Sequence, residues 1–456
     1  MIEPPSAISE IARAVKPGSR GARLLTVLEQ LDKSQWRSGE ALREHQFRQL
    51  GELLAHAART VPFYHQRFET AKIDVAGPIG PDVWKRIPLL TRRDIQKAGN
   101  SLRSRKVPAG HGRLGVSQTS GSTGMPVKLN TTERTRFLWS AFMIRDHLWH
   151  RRVFSQKYAA IRKFPTNAAS YPKGKHAKSW SAAIGGLFGS GPAAGLGIDA
   201  SVKQQAEWLG REDPVYLQTY PSNLRHLAVY CERHGIELAR LAEVITFGEL
   251  FDPETREICR RVWNVPVTDM YSSEEVGYIA LQCPDHAHYH VQAENVLVEI
   301  LDDGGEPSAP GEIGKVVVTH LHNYASPFIR YDIGDFAEVG EDCACGRRLP
   351  VLRSILGRSR NMIQTPSGDR YWPLFGVRTF TEIAPILQHQ FVQKTADVIE
   401  GRFVAERALT EHEEERLRRH ILSRLPYPFK LVFTYHDEIP RSAGGKYEDF
   451  ISEIAG

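Results

Sequence analysis

The stretch "TSGSTGMPVK", Thr119 to Lys128, sets the hydroxyls of Thr119, Ser120, Ser122 and Thr123 around Gly121 and Gly124, just ahead of an apolar run. Glycines let backbone N–H groups come close to an anion, and hydroxyls add further donors, so this composition suits a loop that grips phosphate. Flexible linkers and polar turns share the composition. The stretch is short, however, and it passes directly into Pro126-Val127-Lys128-Leu129, which reads as strand and disfavours a linker. It is not the G-x-x-x-x-G-K-[ST] loop, because Gly121 and Gly124 stand too close and no lysine directly follows the second glycine.

A second group of residues has the chemistry of a metal site. Cys283 precedes His286, His288 and His290, and Cys343-Ala-Cys345 follows in a glycine-rich turn. Two thiols one residue apart do not readily close a disulfide, and a reducing cytoplasm keeps them as thiols. On one reading these are three ordinary reduced cysteines. On the other, Cys283, Cys343 and Cys345 join His290, the histidine at the start of a strand, as the Cys₃His set of a structural zinc site. Cys231 and Cys259 sit on helical faces and read as core.

The elements that must position these groups point to an α/β chain. Its 456 residues suggest two or three domains, and 41% apolar content is enough for sizeable cores. A net charge of +6 without a dense Lys/Arg run does not favour nucleic-acid or membrane binding. No apolar run approaches the roughly 18 residues of a membrane span, and the N-terminus lacks a leader pattern, so the expected location is the cytoplasm. Residues 40 to about 105 read as helical, with loops at Pro62 and 88–91. From there to about 300, "YAAIRKF" (158–164), "VYLQTY" (215–220), "VITFG" (244–248) and "VTDMY" (267–271) read as buried strands. Helices such as "PSNLRHLAVYCERHG" lie between them, which implies a largely parallel sheet. From 289 to about 350 strands joined by Gly/Pro/Asp turns suggest an antiparallel β subdomain. After 360 a compact α+β unit is expected, with a helix at 411–425 and a strand at 430–435.

Seven short stretches fall in a telling order: "TSGSTGMPVK" (119–128), "PS" (221–222), "FGE" (247–249), "YSSEEVG" (271–277), "RYDIGD" (330–335), "GRSR" (357–360) and "PRSAGGK" (440–446). In order and spacing they resemble the acyl-adenylate-forming ligase superfamily, whose members activate carboxylates as AMP esters. Within it the chain is most similar to the phenylacetate–CoA ligase and CapK-like type. "HAARTVPFYHQRF", "WKRIPLLTRRDI", "CPDHAHYHVQAENVLVEILD" and "CACGRRLPVLRSILGRS" add to the likeness, which covers about residues 45 to 450.

The resemblance implies an N-terminal adenylation domain over 1–356, with mostly parallel sheets and the β subdomain. A hinge at 357–360 and a small mobile α+β lid over 361–456 would follow. It implies ATP and Mg²⁺ as cofactors, with the 119–128 loop on the β- and γ-phosphates and Thr123 close to the chemistry. Glu275 corresponds to the magnesium glutamate, and hard oxygen ligands suit that ion. Tyr271, with Ser272 beside it, would stack on adenine, and Gly248 and Glu249 would line the base pocket. Asp335 would take both ribose hydroxyls, Arg358 the ribose or a phosphate, and Lys446 the α-phosphate and the acyl carboxylate. The acyl group would pass to a thiol, coenzyme A. An amine acceptor is the alternative within the class, and a catalytically inactive nucleotide-binding protein the alternative outside it.

The chain departs from the family pattern in three places. Ser272 and Glu274 stand where many members carry Gly and Thr or Ser. Arg360 stands where many carry the hinge aspartate, and Lys128 lies one position beyond its usual place. Trp139, Phe142 and Trp149 share one helical stretch, as an aryl-acid pocket or as plain core.

Overall fold

The structure is a computed structural model. It describes residue 8 and residues 15–75, 77–118, 127–165, 167–373, 375, 379–442 and 444–454. Thr119, Ser120, Gly121, Ser122, Thr123 and Gly124 lie outside the described residues. The chain divides into two compact units: 1–155, 178–191 and 269–355 form the first, and 156–177, 192–268 and 356–456 the second.

In the first unit, helices come early. Leu24, Leu28 and Leu31 recur at helical spacing and form the buried stripe of Arg20–Ser34. Gly39–Thr60 buries Leu50, Leu53 and Leu54. Pro62, expected in a loop, instead opens the helix Pro62–Thr70. A proline at the first helical position sacrifices an N–H that has no intrahelical partner anyway. Thr91 and Asp94 close a capping box on Arg92–Ala98.

The strands of this unit are antiparallel where their pairing is resolved, as the texture after 289 suggests. Val296–Leu301 pairs with Ile313–His320, and that strand with Tyr331–Val339. Tyr289–Val291 bridges Val351–Arg358 and Gly277–Gln282, and the latter pairs with Val267–Ser273. One core runs from the helices to this sheet through Leu54, Tyr64, Ile279, Val316 and Phe328.

Arg330 anchors the strand that carries Asp335. It is buried with φ 49°, a conformation costly for a non-glycine residue. Its guanidinium holds Glu299 at 3.0 and 3.2 Å and the carbonyls of Lys85 and Ile87 at 2.9 and 2.8 Å. The backbone continues the link: Leu90 N–H donates to Arg330 O and Asp332 N–H to Leu90 O. The "WKRIPLL" segment is thus tied to "RYDIGD".

In the second unit, four parallel strands lie in the order Glu243–Phe247, Tyr216–Thr219, Tyr158–Arg162, Ala193–Gly197. Lys175–Ala177 adds an antiparallel edge. The helices Val202–Glu212, Pro221–His234 and Pro253–Trp263 alternate with these strands, and Cys231 and Cys259 are buried in their core. A four-stranded sheet follows in the order Lys430–Tyr435, Val398–Ala405, Ile386–Thr395, Phe450–Ser452. It packs Phe391 and Phe403 against Leu417 and Ile421 of the helix Glu411–Leu422. The fold class is α/β, as expected.

Candidate active site

In the first unit, Leu114–Gln118 and Lys128–Thr132 form an antiparallel hairpin with Gln118 opposite Lys128. At the other end, Thr132 caps the helix Glu133–Trp149 through a capping box with Thr135.

Tyr271 and Asp335 come together although they are far apart in sequence. The Tyr271 hydroxyl donates to Asp335 Oδ2 at 2.7 Å. Ser272, next to Tyr271, is in register with Tyr278. Glu275 is 11% exposed at its side chain, and its Oε1 lies 3.9 Å from Arg92 Nη1. Glu274, the extra carboxylate, is turned to the hairpin of Leu114–Gln118 and Lys128–Thr132 and accepts from Ser117 Oγ at 3.1 Å.

The three aromatic residues of the helix Glu133–Trp149 part company. Phe142 is core at 1% exposure. Trp149 packs edge-on to His290 and under the guanidinium of Arg145. Trp139 alone lies against the 271–278 stretch, 5.1 Å from the Tyr278 ring and over Gly277. A Cβ on Gly277 would come within 3.4 Å of the Trp139 ring.

In the second unit, Lys446 reaches Gly248. A methyl group on Gly248 would sit 3.5 Å from Lys446 Cε and 3.8 Å from its Nζ, with the Tyr220 ring at 3.6 Å. The segment from 442 to 446 closes on itself: Ser442 N–H donates to Lys446 O at 2.8 Å, and Lys446 N–H to Ser442 Oγ at 3.2 Å. Glu249 is engaged by its neighbours. It accepts from Ser222 N–H at 3.0 Å and from Tyr447 N–H at 2.6 Å, with Arg441 Nη1 at 3.4 Å. Burial pushes its carboxyl above the usual carboxylate range, and Arg441 opposes that rise. Arg358 donates its backbone N–H to Asn361 Oδ1 at 3.3 Å, and Arg360 is ion-paired with Glu448. Sequence reasoning passed over Tyr220 and Arg441; the one ends "VYLQTY" and the other lies inside "PRSAGGK", so both stood in quoted stretches.

The cysteines and histidines of the first unit converge. Cys283 Sγ and Cys343 Sγ are 3.8 Å apart, and Cys345 Sγ is 3.4 Å from His290 Nε2. With Zn–S about 2.3 Å and Zn–N about 2.0 Å, a tetrahedron has S···S and S···N edges of about 3.8 and 3.5 Å, so each of these two distances matches one such edge. The four donors that lie within 4.8 Å of one another are those of Cys283, His288, His290 and Cys343, with His288 in the place expected for Cys345; Cys345 forms a second such group with Cys283 and Asp285. Burial holds the His290 imidazole at a pKa of about 3, neutral at ordinary pH.

No protein-family model matches the chain. Curated relatives do. A phenylacetate–coenzyme A ligase of Thermus thermophilus is 25% identical over 448 residues, spanning 89% of this chain and 95% of the relative. One from Pseudomonas putida is 24% identical over 91% and 93% of the two chains. Protein CapK of Staphylococcus aureus is 22% identical over 56% of each. A 2-hydroxyisobutyryl-CoA ligase crystallised in its postadenylation state superposes with a TM-score of 0.73, over 97% of this chain and 94% of that one, at 18% identity. An anthranilate CoA ligase bound to anthranoyl-AMP gives 0.53 over 73% and 64%, at 15% identity.

In fold and in sequence the chain resembles the acyl-adenylate-forming ligase superfamily. Within that superfamily it resembles the phenylacetate–CoA ligases over most of its length.

Proposed function

We propose that this chain activates a carboxylic acid with ATP and passes the acyl group to coenzyme A. The substrate carboxylate oxygen attacks the α-phosphorus, pyrophosphate leaves, and an acyl-AMP remains. A thiolate then attacks the acyl carbon and AMP leaves. The observation that carries this reading is the placement of Lys446, in a self-closed glycine loop, against Gly248. A fixed cation costs no reorganisation when negative charge develops at a phosphate and a carboxylate.

The remaining roles follow the chemistry of each group. Asp335, its second oxygen already oriented by Tyr271, takes the ribose diol, and the Tyr271 ring faces the base. Thr119, Ser120, Gly121, Ser122, Thr123 and Gly124 hold the β- and γ-phosphates. Arg358 supports the ribose or a phosphate. Glu275, a mostly buried hard oxygen donor, holds Mg²⁺, which neutralises phosphate charge. Residues 1–356 form the adenylating part, 357–360 the hinge and 361–456 the lid, with the Arg360–Glu448 pair bracing the hinge.

Cys283, Cys343, Cys345 and His290 hold a structural zinc, with His288 as the competing nitrogen ligand. None of the five cysteines is in a disulfide, which suits a cytoplasmic protein. Trp139, 39% exposed beside Gly277, favours an aryl or arylacetic acid. Mass spectrometry of products formed from ATP, an arylacetic acid and either coenzyme A or an amine tests the second step. An acyl-CoA thioester is expected; an amide with no thioester would reassign the acceptor.

A further inference from the structure

Glu249 is engaged on both sides. One carboxylate oxygen accepts the backbone N–H of Ser222, the second residue of the helix Pro221–His234. The other accepts the backbone N–H of Tyr447, the residue after Lys446, at 2.6 Å. Arg441 closes the figure: its Nη1 donates to Ser222 Oγ at 3.0 Å and to Gly445 O at 3.3 Å, and lies 3.4 Å from Glu249. The Glu249 side chain is only 4% exposed. A buried carboxylate with its lone pairs spent on two backbone donors and an arginine is fixed in place.

We infer that Glu249 is a positioning residue whose grip on Ser222 N–H and Tyr447 N–H sets where Lys446 reaches, rather than a lining residue of the base pocket. Two features locate the effect at Lys446. Gly248 bears no side chain on the face that the lysine approaches, and its φ of 78° suits glycine. Tyr447 is held a second time, with its hydroxyl donating to His389 O at 2.5 Å. The backbone on the C-terminal side of Lys446 is therefore pinned at two points. Asp449 adds a third constraint through Arg225 at 2.5 Å.

Glu249→Gln keeps the volume but replaces one accepting oxygen with an N–H₂ that opposes a backbone N–H. Because the inference rests on the acid-activation reading, the test carries two readouts. In acid-dependent ATP–pyrophosphate exchange, Glu249→Gln lowers kcat about 10- to 100-fold with KM for ATP little changed, the cost of displacing a reacting group by about 1 Å. Arg441→Met shows the same pattern, and Glu249→Gln adds no further loss in a Lys446→Ala background. In amide hydrogen exchange, the peptide containing Tyr447 exchanges faster in Glu249→Gln than in the parent. A raised KM for ATP at unchanged kcat, or a full additive loss on Lys446→Ala, would place Glu249 in the nucleotide pocket and overturn the inference. If the parent shows no pyrophosphate exchange with any acid, the acid-activation reading fails. Equal amide exchange in parent and Glu249→Gln then overturns the grip itself, and faster exchange sustains it.

Discussion

The hydroxyl of Tyr271 donates to Oδ2 of Asp335 at 2.7 Å, across 64 positions of sequence. One of the two residues expected at the nucleoside therefore orients the other. The hydrogen bond fixes the plane of the carboxylate, which is what the proposed diol acceptor needs.

Asp335→Ala is expected to weaken ATP binding by about 1.5–3 kcal/mol, the worth of hydrogen bonds to a charged group. It should also reduce discrimination between ATP and its 2′-deoxy analogue. Tyr271→Phe, which loses one neutral donor, should cost about 0.5–1.5 kcal/mol. Calorimetric titration of both nucleotides checks this, and unchanged 2′-discrimination in Asp335→Ala would place the carboxylate away from the ribose.

Lys446→Ala should lower acid-dependent pyrophosphate release on the order of 10²-fold or more while ATP binding is nearly retained, since the lost contact forms mainly in the transition state. Near-parental adenylation with failure only at acyl transfer would move Lys446 to the second step.

Cys345→Ser should lower zinc content and melting temperature together, because binding energy at a closed four-ligand site is coupled to folding. Freshly purified parent should hold about one zinc, and any folded Cys345→Ser should still need Mg²⁺. Freely titratable Cys283, Cys343 and Cys345 in zinc-free native protein would remove the site. Loss of metal in His288→Ala but not in His290→Ala would exchange the histidine.

Buried histidines of the first unit make stability fall in acid. Burial holds His320 at a pKa of about 3 and His322 at about 4, both below the unfolded value near 6.5. The unfolded chain therefore takes up these protons first. Their contribution is intact above pH 6.5 and is lost as pH falls toward 4, at up to about 1.4 kcal/mol per pH unit for each group. His322→Gln should flatten the melting temperature against pH between 6.5 and 4.5. Parallel curves for parent and variant would exclude His322 from the transition.

The order of the seven stretches made the fold class legible, and short apolar runs located the strands at 158–162, 216–219 and 243–247 within a residue or two. The helix Arg20–Ser34 was missed although Leu24, Leu28 and Leu31 carry its period. Pro62 was read as a breaker because only its context, a following helix, separates the first helical position from a loop. Partnerships were not legible. Nothing local to "FGE" announces that Glu249 meets Tyr447, and nothing in "RYDIGD" announces that Arg330 holds the carbonyls of Lys85 and Ile87. Such contacts are set by strand order and crossover, which composition and spacing do not encode.

Trp139→Ala should raise KM for arylacetic acids more than for short aliphatic acids, since an aromatic contact beside Gly277 is lost only by the former. Equal effects on both acid classes would remove Trp139 from the acid pocket.

The central claim is that acid, ATP and Mg²⁺ suffice for the first chemical step. Incubating the purified chain with labelled pyrophosphate, ATP, Mg²⁺ and a panel of aryl and arylacetic acids, without coenzyme A, measures that step alone. Label is expected to enter ATP only when a suitable acid is present, and Lys446→Ala should slow its entry on the order of 10²-fold or more. A folded chain that binds ATP yet exchanges no pyrophosphate with any acid would contradict the account.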